Sequence, residues 1–230
     1  EEIVAMNLRA SHWLESKGFI EQAIRHALAA ENTVRAVEIV EKRRLTEINQ
    51  DRWYILDHWL DILQEEITQQ RIELMLAHVN SLFEKFRVPD MIPILDQIEK
   101  KFLTKDVEPA LKGEINYYRG YISIYLNGDA ESALKQLTEA KNLIPDSYEM
   151  IRGEIEMYLA IAHQMIGDKE VAVNQLEEKI NSGKSINDMM YSRLLGGLIF
   201  VHLHCGDLEK AYPVARKLAR VGKQVNLSYV

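Results

Sequence analysis

Apolar residues recur at intervals of three and four along almost the whole chain, a spacing that predicts helices rather than strands. Glycine or proline interrupts the pattern repeatedly, and each interruption predicts a break between helices. The breaks are Gly18, Pro89, Gly128, Pro145, Gly167, Gly183 and Gly206. The predicted helices are 5–17, 20–30, 33–43, 53–64, 69–86, 90–103, 108–127, 130–142, 149–166, 169–181, 188–205 and 208–221. The pattern therefore predicts an all-α chain.

A short sequence returns at a fixed interval in the second half of the chain. GDAESAL starts at Gly128, GDKEVAV at Gly167 and GDLEKAY at Gly206, an interval of 39 residues both times. The glycine can adopt the left-handed conformation that ends a helix, and the aspartate after it can cap the next helix. An alanine follows each glycine by five residues, and it is small enough for two helices to approach closely. The repeat therefore predicts a series of helical hairpins.

Two weaker copies of this sequence precede the repeats. KGFIEQAI keeps the glycine and the alanine, as Gly18 and Ala23. A degenerate copy around Arg87 has Ile92 at the alanine position, and Pro93 is expected in the first turn of the helix that follows. Similar hairpins are therefore expected in the first half of the chain.

The repeat around Gly128 resembles the tetratricopeptide repeat (TPR). Ala133, Ala140 and Pro145 fall on the two alanines and the closing proline of the TPR pattern. The interval of 39 residues is longer than the ~34 of the standard repeat. The resemblance implies an all-α fold, an α-solenoid of tetratricopeptide-like helical hairpins that forms a right-handed superhelix with a period of about 39 residues.

The first part of the chain is similar to a segment of large LuxR-type regulators related to the maltose activator MalT. In those proteins the segment, here Ala10–Glu41, follows the ATPase and winged-helix domains. The matching positions are Trp13, Gly18, Gln22-Ala23-Ile24, His26-Ala27-Leu28, Ala30 and Ala36-Val37 with Ile39 and Glu41. The stretch Trp53–Ile67 is similar to a second family segment, with Trp59-Leu60 matching best. We expect a single domain over 1–230, with family-specific helices at 1–68 and hairpin repeats at 69–230.

This resemblance implies a signal-sensing arm in a transcription regulator. The arm would bind a small-molecule inducer or a regulatory protein, while ATP would bind only the parent protein's upstream domain and DNA only its C-terminal domain. It implies a cytoplasmic protein with no cofactor in this chain, and oligomerisation of the parent is left open. The alternatives are a free-standing TPR adaptor that binds peptide or protein partners, and a structural spacer or dimerisation arm.

The composition argues against nucleic-acid binding, an internal disulfide and a membrane-spanning segment. The formal net charge of −7 makes direct nucleic-acid binding by this chain a poor candidate. Lys42–Arg44 is the densest basic run, and we interpret it as a solvated helix end. Cys205 is the one cysteine, so an internal disulfide cannot form. No apolar run approaches the ~20 residues that cross a membrane.

Two short sequences suggest chemistry that their surroundings do not support. Gly183-Lys184-Ser185 resembles the end of a phosphate-binding loop, but Glu178 stands where that loop needs its first glycine. On a helix only His202 and Cys205 of HLHC could share a face, giving two ligands where structural zinc takes four. No catalytic motif is present, so we expect no enzymatic activity and no metal.

The first helix of each hairpin lines the concave surface in TPR solenoids, and this position identifies candidate ligand-binding residues. They are Tyr118, Tyr125, Met157, Gln164, Arg193, Phe200 and His204. Aromatic and polar side chains of this kind suit a groove for a small molecule or a peptide. The alternative is that these side chains pack between repeats, because stripes of Met and aromatic residues are usually core.

Overall fold

The computed structural model describes residues 2–102, 107–182 and 188–224, and the regular elements within those ranges are helices. They fall into two compact units, Glu1–Asp106 and Val107–Val230. The first unit contains α1 (Glu2–Ser16), α2 (Ile20–Ala29), α3 (Thr33–Asn49), α4 (Trp53–Leu63), α5 (Glu65–Thr68), α6 (Ile72–Glu84) and α7 (Val88–Phe102). The second contains α8 (Pro109–Ile122), a π-helical turn (Ser123–Asn127), α9 (Ala130–Leu143), α10 (Glu149–Met165), α11 (Lys169–Asn181), α12 (Asp188–His204) and α13 (Leu208–Gln224).

The helices of the second unit pack as hairpins that stack side by side. α8 packs against α9, α10 against α11 and α12 against α13, so each repeat is one hairpin. The first helices of neighbouring hairpins also pack together, α8 with α10 and α10 with α12. This is the packing of an α-solenoid of TPR-like hairpins, and it confirms the predicted all-α fold class.

The helices of the first unit pack mainly on their neighbours in the chain. α1 packs on α2, α2 on α3 and α3 on α4, while α6 packs on both α4 and α7. The largest fully buried side chains of this unit are aliphatic or Met, namely Ile24, Ile39, Leu56, Leu63, Leu74, Leu76, Met91, Leu95 and Ile98. Burying one such side chain contributes about 1.5–3 kcal/mol, so the first unit has a core of its own. The single domain expected over 1–230 stays a prediction.

Each turn glycine of the second unit ends its helix in the left-handed conformation. Its φ is 63° at Gly128, 94° at Gly167 and 74° at Gly206. After Gly167, the amide of Asp168 donates to the carbonyl of His163, and this bond satisfies a carbonyl at the end of the helix. The alanines five residues after the glycines are buried, and they are Ala133, Ala172 and Ala211. The hairpin prediction is confirmed at all three repeats.

The aspartates that follow these glycines differ in what they bind. The Asp129 carboxylate accepts a 3.0 Å hydrogen bond from the Ser132 amide, which is the predicted helix cap. Asp168 makes no capping hydrogen bond, so the cap prediction is wrong there. The Asp207 carboxylate pairs with the Lys169 ammonium on the preceding repeat. The aspartate at this repeated position therefore has two roles. Asp129 caps a helix, and Asp207 joins two hairpins.

Residues other than glycine form the same turn in the first unit. Glu31, Asp51 and Phe86 each have a φ of 55°, which is unusual for a residue with a side chain. The residue five positions after each of them is buried, and these residues are Ala36, Leu56 and Met91. Gly18 also forms this turn, with a φ of 83° and the buried Ala23 five residues later, as predicted. The joint between helices is thus the same in both units, although its sequence differs at Glu31, Asp51 and Phe86.

The degenerate copy around Arg87 has a different register from the predicted one. Phe86 rather than Arg87 forms the turn, and Met91 rather than Ile92 is buried in the contact between helices. Pro93 lies inside α7 and not in its first turn. The prediction was wrong by one residue because no glycine marks this joint.

The helix that carries Gly128 contains one more residue than its equivalents at this point. The amide of Asp129 donates to the carbonyl of Ser123, six residues back, whereas the bond after Gly167 spans five. The extra residue is taken up by the π-helical turn Ser123–Asn127. Such turns occur frequently at functional sites.

The basic run at the end of the predicted helix 33–43 is not solvated along its length. α3 continues to Asn49, and only 4% of Arg44 is exposed. The interpretation of Lys42–Arg44 as a helix end was therefore wrong, because the helix continues and its buried face extends past the run to Glu47 and Ile48.

Candidate functional site

The first helices of the last two hairpins, α10 and α12, lie close together because each presents a glycine to the other. A Cβ atom on Gly197 of α12 would lie 2.8 Å from Met157 Cγ and 3.3 Å from Met157 Cα on α10. A Cβ atom on Gly153 of α10 would lie 3.1 Å from Met190 Cα on α12. All three distances are shorter than ordinary carbon contacts, so only glycine allows this approach. We call the surface formed by α8 with its π-helical turn, α10 and α12 the three-helix face.

A buried polar network connects these three helices. The Tyr117 hydroxyl of α8 donates a 2.6 Å hydrogen bond to Glu154 Oε2 of α10. The Arg193 guanidinium of α12 pairs with Glu154 Oε1 at 3.1 Å. Only 2% of Glu154 is exposed, so its charge is compensated inside the protein. Burial and the Glu154 charge both raise the pKa of Tyr117, which therefore stays protonated and donates.

Aromatic rings continue this network toward the surface. Tyr121 lies 4.6 Å from Tyr125 and 5.2 Å from Tyr158 of α10, measured between ring centroids. Tyr125 also meets Tyr158 edge to face at 6.0 Å. Tyr121 and Tyr158 are buried, whereas 49% of Tyr125 is exposed. Tyr125 lies on the π-helical turn. Its ring packs against two buried rings, and its other face is open to solvent, where a ligand could contact it.

A second aromatic pair lies on α12. The rings of Phe200 and His204 stack with a centroid distance of 4.0 Å and an interplanar angle of 27°. Phe200 is partly buried and His204 is exposed, so the pair also has a face open to solvent. The structure therefore brings these two predicted residues together, one helical turn apart.

The other four predicted residues range from fully buried to partly exposed. Tyr118 is fully buried, which places it in the packing alternative rather than on an open groove. Met157 is partly buried over Gly197 and packs between hairpins. Gln164 is partly exposed in the last turn of α10. Arg193 is mostly buried through its pairing with Glu154.

Sequence reasoning missed Tyr117, Tyr121 and Tyr158. Tyr117, Tyr121 and Tyr125 are separated by four residues, so their shared helical face was visible in the sequence. Counting back from Gly128 selected Tyr118 instead. That count could not include the extra residue of the π-helical turn, which changes the register between the glycine and the tyrosines.

A second buried carboxylate was also missed. Glu156 of α10 is 2% exposed and accepts hydrogen bonds from Lys141 Nζ of α9 at 3.0 Å and Gln175 Nε2 of α11 at 2.9 Å. Lys179 Nζ lies 3.2 Å from its other oxygen. Burial alone would raise the pKa of Glu156, but these partners outweigh it and lower the pKa. Glu156 therefore binds the second helices of two hairpins as an anion.

The HLHC segment places its first histidine beside an aspartate. His202 is buried, and its Nδ1 lies 3.8 Å from the Asp207 carboxylate. Burial lowers the pKa of His202. Within the described ranges no group of three or more His, Cys, Asp or Glu side chains could hold a metal ion. The Gly183-Lys184-Ser185 sequence lies outside those ranges. No described helix is both long enough and apolar enough to cross a membrane.

Comparisons with known proteins add little to this picture. No family model matches the chain, and no curated protein matches it. The chain is similar to a crystal structure of nearly identical TPR-like repeats from a putative kinesin light chain of Podosopora anserina. The identity is 15%, the TM-score is 0.48, and the match covers 94% of this chain and 97% of that chain. A similarity this weak does not support conclusions about this chain. The fold assignment rests on the hairpin packing and turn geometry described above.

Proposed function

We propose that the chain is the signal-sensing arm of a LuxR/MalT-like transcription regulator, with the three-helix face as its binding surface. The observation that carries the proposal is Tyr125, a half-exposed ring held in place by the buried Tyr121 and Tyr158. An aromatic ring that is both rigid and exposed contributes contact area without a large loss of conformational entropy on binding. Phe200 and His204 provide a second such surface.

The composition of the three-helix face favours a ligand without a strong charge. Arg193 is the cation among the seven predicted residues, and it already pairs with Glu154. His204 adds a hydrogen-bonding group beside the Phe200 ring, and Gln164 adds another in the last turn of α10. A neutral polar inducer, or a neutral segment of a modulator protein, fits this set better than a carboxylate terminus.

The resemblance of Ala10–Glu41 supports the regulator part of the proposal. These residues lie in α1, α2 and α3, and the alanines that the family pattern shares are buried, namely Ala23, Ala27, Ala30 and Ala36. Trp59 and Leu60, the best match in the second segment, are also buried. In such a regulator the inducer must bind one conformation of the arm more tightly than another, since equal affinities shift no equilibrium.

The alternative is a free-standing adaptor for peptides. It would have the same fold but would lack the flanking ATPase and DNA-binding domains of a regulator. Sequencing the gene on both sides of this chain separates the two. A phosphate-binding loop upstream and a LuxR-type helix-turn-helix downstream are expected for the regulator. Stop codons close to both ends would refute the regulator and leave the adaptor.

Binding by the three-helix face is tested separately, with the 230-residue chain itself. A thermal-shift screen of neutral small molecules and peptides should yield a compound that raises the melting temperature, because a ligand of the folded state stabilises it. Tyr125→Ala should abolish that shift, and Tyr212→Ala, an exposed tyrosine on α13, should leave it unchanged. Equal shifts for both variants would refute this surface.

A further inference from the structure

A cavity of 530 Å³ lies in the first unit, between the start of α2, the end of α3 and the first turns of α4. Its aromatic walls are Phe19, Tyr54 and Trp59. Phe19 and Tyr54 are 51% and 57% exposed, whereas Trp59 is buried. Its volume is in the range of small-molecule sites, and its walls combine apolar rings with a few charged groups, as such sites do.

The charged groups around this cavity are paired, with one exception. Arg52 pairs with the buried Glu47, Nε to Oε2, at 2.7 Å. Glu21 pairs with Arg25 at 2.8 Å and lies 3.5 Å from His58. Each carboxylate that lines the cavity therefore already has a cationic or histidine partner.

Arg43 is the exception. Its guanidinium forms no hydrogen bond or ion pair within the described parts of the chain, and its Nε is buried without a partner. A carboxylate that enters the cavity would supply an acceptor for the guanidinium of Arg43, which lines it. The planar guanidinium matches a carboxylate in geometry, with two parallel hydrogen bonds.

We propose that this cavity binds a small molecule that carries a single carboxylate on an aromatic or apolar body. Arg43 would bind the carboxylate, and Phe19, Tyr54 and Trp59 would contact the body. One unpaired cation matches one negative charge, whereas a phosphate group would bring more charge than Arg43 can balance. This site is in the first unit and does not depend on the three-helix face.

The first test uses the unmodified protein and needs no knowledge of the natural ligand. The probes are N-acetyl-phenylalanine, N-acetyl-tyrosine and N-acetyl-leucine, each as the free acid and as the amide, together with phenyl phosphate. Binding is measured by isothermal titration calorimetry. At least one acid should bind about tenfold more tightly than its amide, because the amide lacks the charge that strengthens a hydrogen bond to Arg43.

Three results would overturn the proposal. One is that no acid binds, and another is that each acid and its amide bind equally. The third is that phenyl phosphate binds more tightly than every acid, which would contradict the carboxylate.

The second test assigns the binding to Arg43. Arg43→Gln should weaken the best acid about tenfold and leave its amide unaffected, because only the acid uses the charge. The control is Arg9→Gln, which changes an exposed arginine on α1 that does not line the cavity. Since Arg43 has no partner among the described residues, its replacement should not lower the melting temperature.

Tyr54→Ala provides an independent variant. It should weaken the acid and the amide of the same probe alike, because both present the same body to the aromatic wall. Equal affinity of the acid for Arg43→Gln, Arg9→Gln and the unmodified protein would place the acid elsewhere and overturn the assignment.

Discussion

The Tyr117 hydroxyl and the Glu154 carboxylate form a buried 2.6 Å hydrogen bond that connects α8 with α10. The acceptor also pairs with the Arg193 guanidinium, and a hydrogen bond to a carboxylate in an ion pair is stronger than one between neutral groups. Glu154 also binds Arg193 of α12, so the three hairpins of the second unit share one carboxylate. Loss of the hydroxyl should therefore loosen contacts between repeats rather than within one.

Tyr117→Phe should lower the free energy of unfolding by about 1–3 kcal/mol, because it leaves a buried carboxylate with one donor fewer. Urea denaturation followed by circular dichroism measures this. The matched control is Tyr212→Phe, which removes the same atom from a residue that is 66% exposed. Equal stability of the two variants would mean that the hydroxyl contributes nothing.

Gly197→Ala and Gly196→Ala should change stability in opposite directions, although the glycines are adjacent in α12. A Cβ atom on Gly197 would push against Met157, including its main chain, at a cost of about 1–3 kcal/mol. A Cβ atom on Gly196 meets no atom within 4 Å, so alanine should stabilise the helix by about 0.5–1 kcal/mol. Thermal unfolding of the two variants and the unmodified protein tests both signs. Two changes of the same sign would contradict the close approach of α10 and α12.

Phe86→Gly should raise stability. Phe86 has a φ of 55° and is 82% exposed, so it pays for the left-handed conformation without burying its ring. Glycine adopts that conformation freely, and the expected gain is about 1 kcal/mol. Phe86→Ala is the control, since it removes the ring and keeps the strain. If both variants have the same melting temperature, the turn is not strained.

Glu156 should make stability fall in acid. Its pKa is lowered in the folded protein from the ordinary value of 4.5, despite its burial, by the hydrogen bonds from Gln175 and Lys141. The stabilisation is therefore complete above about pH 4.5 and is lost as the pH falls through the folded-state pKa. Glu156→Gln should cost about 1–3 kcal/mol at pH 7. Below the folded-state pKa the difference from the unmodified protein should shrink.

The pH test needs a control because other carboxylates titrate in the same range. Glu177→Gln changes an exposed glutamate of α11 and should shift the unfolding free energy little at any pH. A difference for Glu156→Gln that is constant from pH 3 to pH 7 would show that its charge is not what stabilises the protein.

Tyr118→Ala and Tyr125→Ala should separate packing from binding. Tyr118 is fully buried, and its truncation should cost about 3–5 kcal/mol. Tyr125 is half exposed, so Tyr125→Ala should weaken binding of the screened ligand with a smaller loss of stability. Phe200→Ala should behave like Tyr125→Ala. Calorimetric binding and thermal unfolding of each variant give the two quantities, and a large loss of stability with unchanged affinity would assign Tyr125 or Phe200 to packing.

The fold was predictable because its joints carry a local signal. The turns need a residue in the left-handed backbone conformation, and glycine provides it at Gly128, Gly167 and Gly206. A buried alanine follows each glycine at a fixed distance. The same joint at Phe86 gives no such signal, since its strain is offset by tertiary contacts such as the burial of Met91. Local sequence identifies the first kind of joint and misses the second.

The candidate site was predictable only in part, because register and pairing depend on distant residues. The π-helical turn moved the tyrosines relative to Gly128, so Tyr118 was selected where Tyr117 makes the buried bond. The cavity beside Arg43 was missed altogether. It depends on the ends of α2 and α3 meeting the start of α4, and the basic run gave no sign that Arg44 is buried while Arg43 lines a cavity.

The extra residue in the π-helical turn has a consequence for how this repeat could change. One residue advances an α-helix by about 100°, so deleting one position between Ser123 and Asn127 would rotate everything before it by that angle relative to Gly128. Tyr117 and Tyr121 would leave the Glu154 side of the helix. The π-helical turn thus sets the rotation of the helix that precedes Gly128. Without the extra residue the helix would be more regular, but Tyr117 could no longer reach Glu154 of the neighbouring hairpin.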